Sequence, residues 1–162
     1  EVGPALIHQL LTPRGEEASL SNTSSPKGPF SKAAQMLVDA IRSKDNQRLC
    51  EVISHLRGLK DDGAPVRGVD DRHAVTGRTP LHEAVMLNRL TSVQILLQAG
   101  ADPNVGHATQ GPPLLHAAAW GETALVEALV LCGSDINAVD CAEYTALHYA
   151  AVGEHCETVR TL

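Results

Sequence analysis

The chain has 162 residues, a formal net charge of -6 and a hydrophobic fraction of 43%, which suits one domain and gives no reason to expect two. Aromatics make up only 2% of residues, so a core has to be built from Leu, Val, Ile and Ala, favouring closely packed helices over an aromatic-rich β-sandwich. The acidic balance and the lack of a Lys/Arg cluster argue against nucleic acid as a partner, and no apolar run is long enough for membrane insertion.

Residues 1–32 read as a flexible segment. Thr12 to Lys32 is rich in Ser, Pro and Gly and has no hydrophobic period, so it buries too little to offset its ordering entropy. Ahead of it, Ala5, Leu6, Ile7, Leu10 and Leu11 form an apolar patch too short to hold a helix alone. Thr12-Pro13 and Ser25-Pro26 suit proline-directed kinases, although such dipeptides are frequent in linkers. Farther on, Leu37, Ala40, Ile41, Leu49, Val52 and Ile53 keep the mutual spacing of Leu81, Ala84, Val85, Val93, Leu96 and Leu97, at an offset of 44. Between them Asp61-Asp62-Gly63-Ala64-Pro65 has turn chemistry and marks an insertion loop at 60–71.

Beyond that loop the chain repeats itself. Leu81, Leu114 and Leu147 stand 33 residues apart (114 − 81 and 147 − 114). Gly100-Ala101-Asp102 recurs as Gly133-Ser134-Asp135 and Asn104 as Asn137, while Ala84, Ala117 and Ala150 keep the same phase. Thr79-Pro80-Leu81-His82-Glu83-Ala84 resembles the string T-P-L-H-x-A of the ankyrin-repeat family, whose period is also 33 residues. The resemblance is strong over 72–162 and weak over 33–60.

It implies an all-α fold, a solenoid of stacked helix–turn–helix units with short finger turns. The units are an N-terminal capping repeat at 33–59, the insertion loop at 60–71, repeats at 72–104 and 105–137, and a truncated repeat at 138–162. The chain begins with Glu1 and stops inside a second helix, so it reads as a fragment whose apolar edge near Ala150, Val159 and Leu162 is uncovered.

Each signature position has a physical task. Thr79 suits an N-cap, and Pro80 suits the first helical position, where its missing N–H costs nothing. Small Ala84, Ala117 and Ala150 let neighbouring repeats approach, and Gly100 and Gly133 follow the second helices, where a left-handed residue is needed. The resemblance further implies that the motif histidine bonds back to the preceding turn, a position matched by His82 and His148.

The eight histidines invite a metal or catalytic reading. Cys141, His148, His155 and Cys156 are close in sequence, yet their spacings fit no common zinc pattern and the repeat phase scatters them. A Cys-His hydrolase needs groups converging in one pocket, whereas the implied fold offers an open groove, and the chain has no Gly-rich phosphate loop or G-x-S-x-G elbow. No enzyme activity, metal or cofactor is expected. Four cysteines without a C-x-x-C pair read as buried or half-buried thiols of a reducing intracellular compartment, cytoplasmic or nuclear.

In the family that the sequence resembles, variable fingertip residues and two positions late in the first helix line the face that grips partners. Carried over position by position, the fingers supply Val75, Thr76 and Arg78, then Ala108, Thr109 and Gly111, then Cys141, Ala142 and Tyr144. The helices supply Met86 and Leu87, Ala119 and Trp120, and Val152 with Gly153. An exposed ladder of Met86, Leu87, Trp120 and Val152 is an apolar groove, with Trp120 its best anchor and Arg78, Glu83, Glu122 and Glu143 at the rim. The competing reading packs Trp120 and Leu87 under the insertion loop or against neighbouring repeats.

The implied function is recognition of a protein or peptide by a scaffold or adaptor. Alternatives are the substrate-recognition arm of a ubiquitin ligase of the SOCS-box type and the regulatory arm of a larger enzyme or channel.

One repeat departs from the pattern. Pro112-Pro113-Leu114-Leu115 lacks both the Thr and the His, and His116 is displaced to a variable position. Losing a cap costs about 1 kcal/mol, so this repeat should be the locally weaker one. Amide exchange in residues 113–119 is expected to be faster than in residues 80–86; slower exchange there contradicts the reading.

Overall fold

The computed structural model describes residues 32–58, 68–73 and 76–162. The expectations for residues 1–31, most of the insertion loop and Val75 lie outside the described residues. Among the described residues eight helices follow one another: α1 Lys32–Arg42, α2 Asn46–Arg57, α3 Pro80–Met86, α4 Leu90–Gln98, α5 Pro113–Ala119, α6 Thr123–Leu131, α7 Ala146–Val152 and α8 Cys156–Thr161. Among the described residues there is no strand, only isolated bridges between His107 and Gly111 and between Val139 and Thr145.

The helices stack in two layers. The first helices pack in the order α1, α3, α5, α7 and the second helices in the order α2, α4, α6, α8, with each first helix also against its own second helix. Helices α3, α5 and α7 start at residues 80, 113 and 146, and Leu81, Leu114 and Leu147 each occupy the second position. At seven residues such helices are too short to persist alone, so burial in the stack holds them. Leu81, Ala84 and Val85 of α3, Leu114, Ala117 and Ala118 of α5, and Ala150 of α7 are all fully buried. Below them Val93, Leu96, Leu125, Val126 and Leu129 close the core between the layers.

Every first helix ends in the same way. Lys44, Asn88, Gly121 and Glu154 take left-handed backbone angles, and the next N–H returns to the alanine carbonyl inside the helix: Asp45 to Ala40, Arg89 to Ala84, Glu122 to Ala117 and His155 to Ala150, at 2.9–3.2 Å. Gly100 and Gly133, both at φ 89°, end α4 and α6. At Gly121 a side chain is barred twice over, because φ is +70° and the His155 ring lies 2.5 Å from where a Cβ would stand. That ring also donates from Nε2 to the Ala119 carbonyl at 3.1 Å, pinning the α7–α8 turn to the end of α5.

Two expectations need correction, and Leu147 differs in exposure from its equivalents. Leu147 shares the register of Leu81 and Leu114 but is 48% exposed, because no described helix packs on the far side of α7. The uncovered apolar face comprises Leu147, Val152 and Val159, whereas Ala150 is buried between α7 and its neighbours. The four cysteines are exposed rather than buried or half-buried: Cys50 on α2, Cys132 capping α6, Cys141 in a finger and Cys156 opening α8. Each falls on the outer side of an element, where the stack covers nothing.

Two buried histidines join neighbouring repeats. His82 receives the Thr79 hydroxyl at Nδ1 (2.8 Å) and donates from Nε2 to the Gly111 carbonyl (3.1 Å), since a carbonyl can only accept. The contact therefore runs forward to the next finger as well as back to its own cap. His116 packs edge-on against both His82 (6.5 Å between centroids) and Trp120 (6.0 Å). Desolvation pushes His82 down to about 3 and His116 down to about 4, against the weaker upward pull of their carbonyl neighbours; nearby His107, Arg72 and Arg78 add to the depression.

Both rings bind protons more readily in the unfolded chain, where histidine titrates near 6.5. Their contribution to stability is therefore complete above that pH and is lost as the pH falls toward 4 and then 3, by about 1.4 kcal/mol per pH unit for each ring. Denaturant melts are expected to show a loss of roughly 4 kcal/mol between pH 7 and pH 5, and His116→Gln should roughly halve that slope. An unchanged slope in the variant would remove His116 from the account.

Candidate functional site: the finger and helix-end face

Three fingers precede α3, α5 and α7, and each is closed by backbone bonds. In the first, His73 N–H donates to Arg78 O (2.7 Å) and Gly77 N–H to His73 O (2.8 Å). The second is closed by His107 and Gly111 exchanging both bonds, and the third by Asp140 N–H to Tyr144 O. A side chain at each base holds the tip: His73 Nδ1 faces Thr76, His107 Nδ1 faces Thr109, and Asp140 Oδ1 accepts from Ala142 and Tyr144 N–H. The first finger spans one residue more between its paired ends than the other two.

Fingers are also tied to one another. His107 Nε2 reaches Thr76 O (3.2 Å), Cys141 Sγ donates to Thr109 O (3.2 Å), and the Arg72 guanidinium bridges Gly77 O (3.1 Å) and Gly106 O (2.7 Å). Behind them Asp70 accepts from Asp102 N–H, and Asn104 accepts from Asp135 N–H while donating to Gly133 O. Burial is the main cause raising the Asp70 carboxyl above its ordinary value. These links repeat the same step from unit to unit, so the fingers form one shelf rather than independent loops.

The helix-end positions lie beside that shelf. Leu87 (39%) and Val152 (51%) are exposed, Met86, Ala119 and Trp120 are half-buried, and Trp120 caps α5 with its ring against His116. Of the finger residues, Ala108, Thr109, Cys141 and Ala142 are exposed, while Thr76, Arg78 and Tyr144 are half-buried. His148 is exposed and receives the Thr145 N–H at Nδ1 (3.2 Å). Among the described residues no group of three His, Cys, Asp or Glu side chains is placed to hold a metal ion. No described helix is long and apolar enough to cross a membrane.

Three residues sit differently from the sequence reading. Gly111 is buried, not at a fingertip surface: it is the paired residue of the second finger, its carbonyl is bonded to His82, and an added Cβ would meet Leu115 at 3.1 Å. Glu83 is a buried carboxylate rather than a rim charge, because Arg42 from α1 (3.3 Å) and Arg78 from the first finger (3.9 Å) converge on it. His116 is buried rather than displayed at a variable position; it stands where Glu83 stands one unit earlier, facing the same seam.

Sequence reasoning passed over Arg42 and Arg72. Arg42 was reachable: the 44-residue offset places it at the register of Met86, on the face in question. Arg72 offers no such signal, because its partners are carbonyls of two different fingers.

The comparisons with known proteins agree with this geometry. The family described as "Ankyrin repeat" matches residues 76–108, and the one described as "Ankyrin repeats (3 copies)" matches 106–162. The chain is 37% identical over 89 residues to the E3 ubiquitin-protein ligase KEG of Arabidopsis thaliana, covering 55% of this chain and 5% of that protein. It is 34% identical over 111 residues to human Ankyrin repeat domain-containing protein 63, covering 66% of this chain and 28% of the relative. Over 77 residues it is 39% identical to the ARF GTPase-activating protein Git of Drosophila melanogaster, 46% of this chain and 10% of the relative. It thus spans less than a third of the length of each of these relatives. With two stacked layers of helices, fingers tied at a fixed step and both family matches falling on that array, the chain belongs to the ankyrin-repeat family.

Proposed function

We propose that this chain is a protein–protein interaction module, an adaptor or scaffold that takes a protein or peptide segment along the finger and helix-end face. Ankyrin repeats are in general modules of this kind. The observation that carries the reading is the row of apolar side chains at successive helix ends: Leu87 and Val152 exposed, with Met86 and Trp120 half-buried between them. The fold needs none of these for its core, which is already closed by Leu, Val and Ala. Accessible apolar groups repeated on one face favour a partner that covers them, and an indole adds large contact area with few rotors. The segment performs no reaction in this reading; it is an intracellular recognition surface.

A second reading makes the segment the substrate-recognition arm of a ubiquitin ligase, supported by the match to a protein whose name is E3 ubiquitin-protein ligase. The match to a GTPase-activating protein supports, in the same way, a regulatory arm on an enzyme. All three readings use the same face.

Trp120→Ala tests it. Affinity capture by the variant is expected to retain specific partners at least about tenfold less well than the parent chain, the usual weight of an interface anchor. Its melting temperature should fall by no more than about 4–8 °C, equivalent to about 1 kcal/mol, because the ring is only half-buried. Leu87→Asp, at a position 39% exposed, provides a second variant that leaves the core untouched. Undiminished capture by both variants overturns the assignment of this face.

A further inference from the structure

The charges around α3 do not balance. Glu83 is a single carboxylate, 6% exposed at its side chain, and two guanidinium groups converge on it from opposite sides. Arg42 reaches it from the end of α1 at 3.3 Å and is itself 47% exposed; Arg78 reaches it from the first finger at 3.9 Å and is 22% exposed. Among the described residues one unit of positive charge is therefore left over, on two guanidinium groups that are both more exposed than the carboxylate. Donors are left over too. A guanidinium has five N–H groups, whereas among the described residues the Arg78 side chain makes one hydrogen bond, from Nε to Gln110 Oε1 (3.1 Å), and Arg42 makes one, to Glu83. Next to this surplus stand Met86 and Leu87 on the same helix, and Trp120 at the end of the helix packed against it.

The opposite end of the face has the other sign. Asp140 at the base of the third finger is held by Ala142, Tyr144 and the Tyr149 hydroxyl, none of which neutralises it, and Glu143 is exposed in the same finger. Hydrogen bonding to Asp140, after desolvation, keeps the Tyr149 phenol protonated far above its ordinary range, so that group adds no charge. An otherwise acidic molecule, net -6, thus presents a positive, donor-rich spot at the α3 end of its apolar face.

We infer that the face selects a peptide segment carrying a carboxylate side chain beside an apolar one, with the carboxylate over Arg42 and Arg78 and the apolar group on Leu87 and Trp120. This rests on the interaction reading above and names the partner's chemistry. Guanidinium donors favour carboxylates over neutral acceptors, and planar forks pair with them bidentately. Adjacent helices pack about 8–10 Å apart and an extended chain rises about 3.3 Å per residue, so the two groups should stand about three residues apart. Repulsion from Asp140 and Glu143 sets the direction, keeping the acidic end of the segment toward α1.

The probe is a phage-displayed library of random twelve-residue peptides, followed by titration of synthetic versions of the enriched sequences. Trp120 is the only tryptophan, so its emission reads binding directly. Enrichment of Asp or Glu about three positions from Leu, Ile or Phe is the expected result. Arg42→Gln and Arg78→Gln should each weaken such a peptide by about three- to tenfold, with a shallower dependence on salt, while Trp120→Ala weakens it further. Glu83→Gln, by removing the carboxylate that compensates the pair among the described residues, should leave affinity equal or higher if it folds. Enrichment of apolar peptides with no acidic residue, or with basic ones, overturns this inference and leaves the interaction reading standing. Enrichment of nothing overturns both.

Discussion

Close approach of successive first helices is the constraint on which this structure rests. Ala40, Ala84, Ala117 and Ala150 lie at the seam between α1, α3, α5 and α7, all fully buried. Each also offers its carbonyl to the N–H that follows the left-handed turn residue, so one small residue sets both the helix spacing and the turn geometry. A larger side chain there would force off-rotamer packing or push a helix outward, with a typical cost of about 1–3 kcal/mol. Helices of seven residues have no independent stability to absorb such a shift. The face beside the fingers is therefore held by packing beneath it as well as by the bonds between fingers, so a partner on the proposed reading would meet a surface that needs little ordering.

The seam also buries polar groups, and neighbouring units solve that problem differently. Glu83 and His116 occupy equivalent places, on α3 and α5. The Glu83 carboxylate draws one guanidinium group from the preceding unit, Arg42, and one from the finger of its own unit, Arg78. The imidazole is instead kept neutral by burial and packed edge-on between His82 and Trp120. An ion cluster binds its neighbours through directional charge, while a neutral ring does so by area. The two halves of the face consequently differ in polarity although the backbone is nearly periodic.

How much of this was readable follows the same division. Residues whose chemistry recurs at every unit, such as Ala84, Ala117, Gly100 and Gly133, declare themselves by interval, because the same backbone task demands the same side chain each time. Even the weak first unit was legible: Leu37, Ala40, Ile41 and Leu49 keep their relative spacing across the inserted loop and are all buried. The burial of Glu83 was not legible, since it depends on how far two long side chains reach from other elements. Gly111 was misplaced for a related reason. The second finger closes on the glycine itself, whereas in the third the left-handed residue, Glu143, precedes the paired Tyr144. Exposure of Leu147 reflects the absence of a covering helix, a property of its surroundings rather than of the residue.

Departures from the repeat do more than weaken it. A face built from identical units would accept an extended partner equally well after a shift of one helix spacing, about 8–10 Å, just as a uniform strand edge tolerates register slips. On the proposed reading of this face, that shift is opposed by features that occur once among the described residues. Among the described residues Arg42 and Arg78 meet only at Glu83; the edge-on ring cluster of His82, His116 and Trp120 exists only between α3 and α5; and the first finger alone carries the extra residue. Moving a partner by one unit takes its side chains from Leu87 to Trp120, or from Trp120 to Gly153, which presents no side chain at all. Specificity on a periodic scaffold therefore has to come from what is not repeated, in the way a single polar residue fixes the register of a coiled coil. In this chain the unrepeated groups lie on the face beside the fingers and, as Glu83 and His116, in the seam under it, whereas the alanines that set the helix spacing repeat.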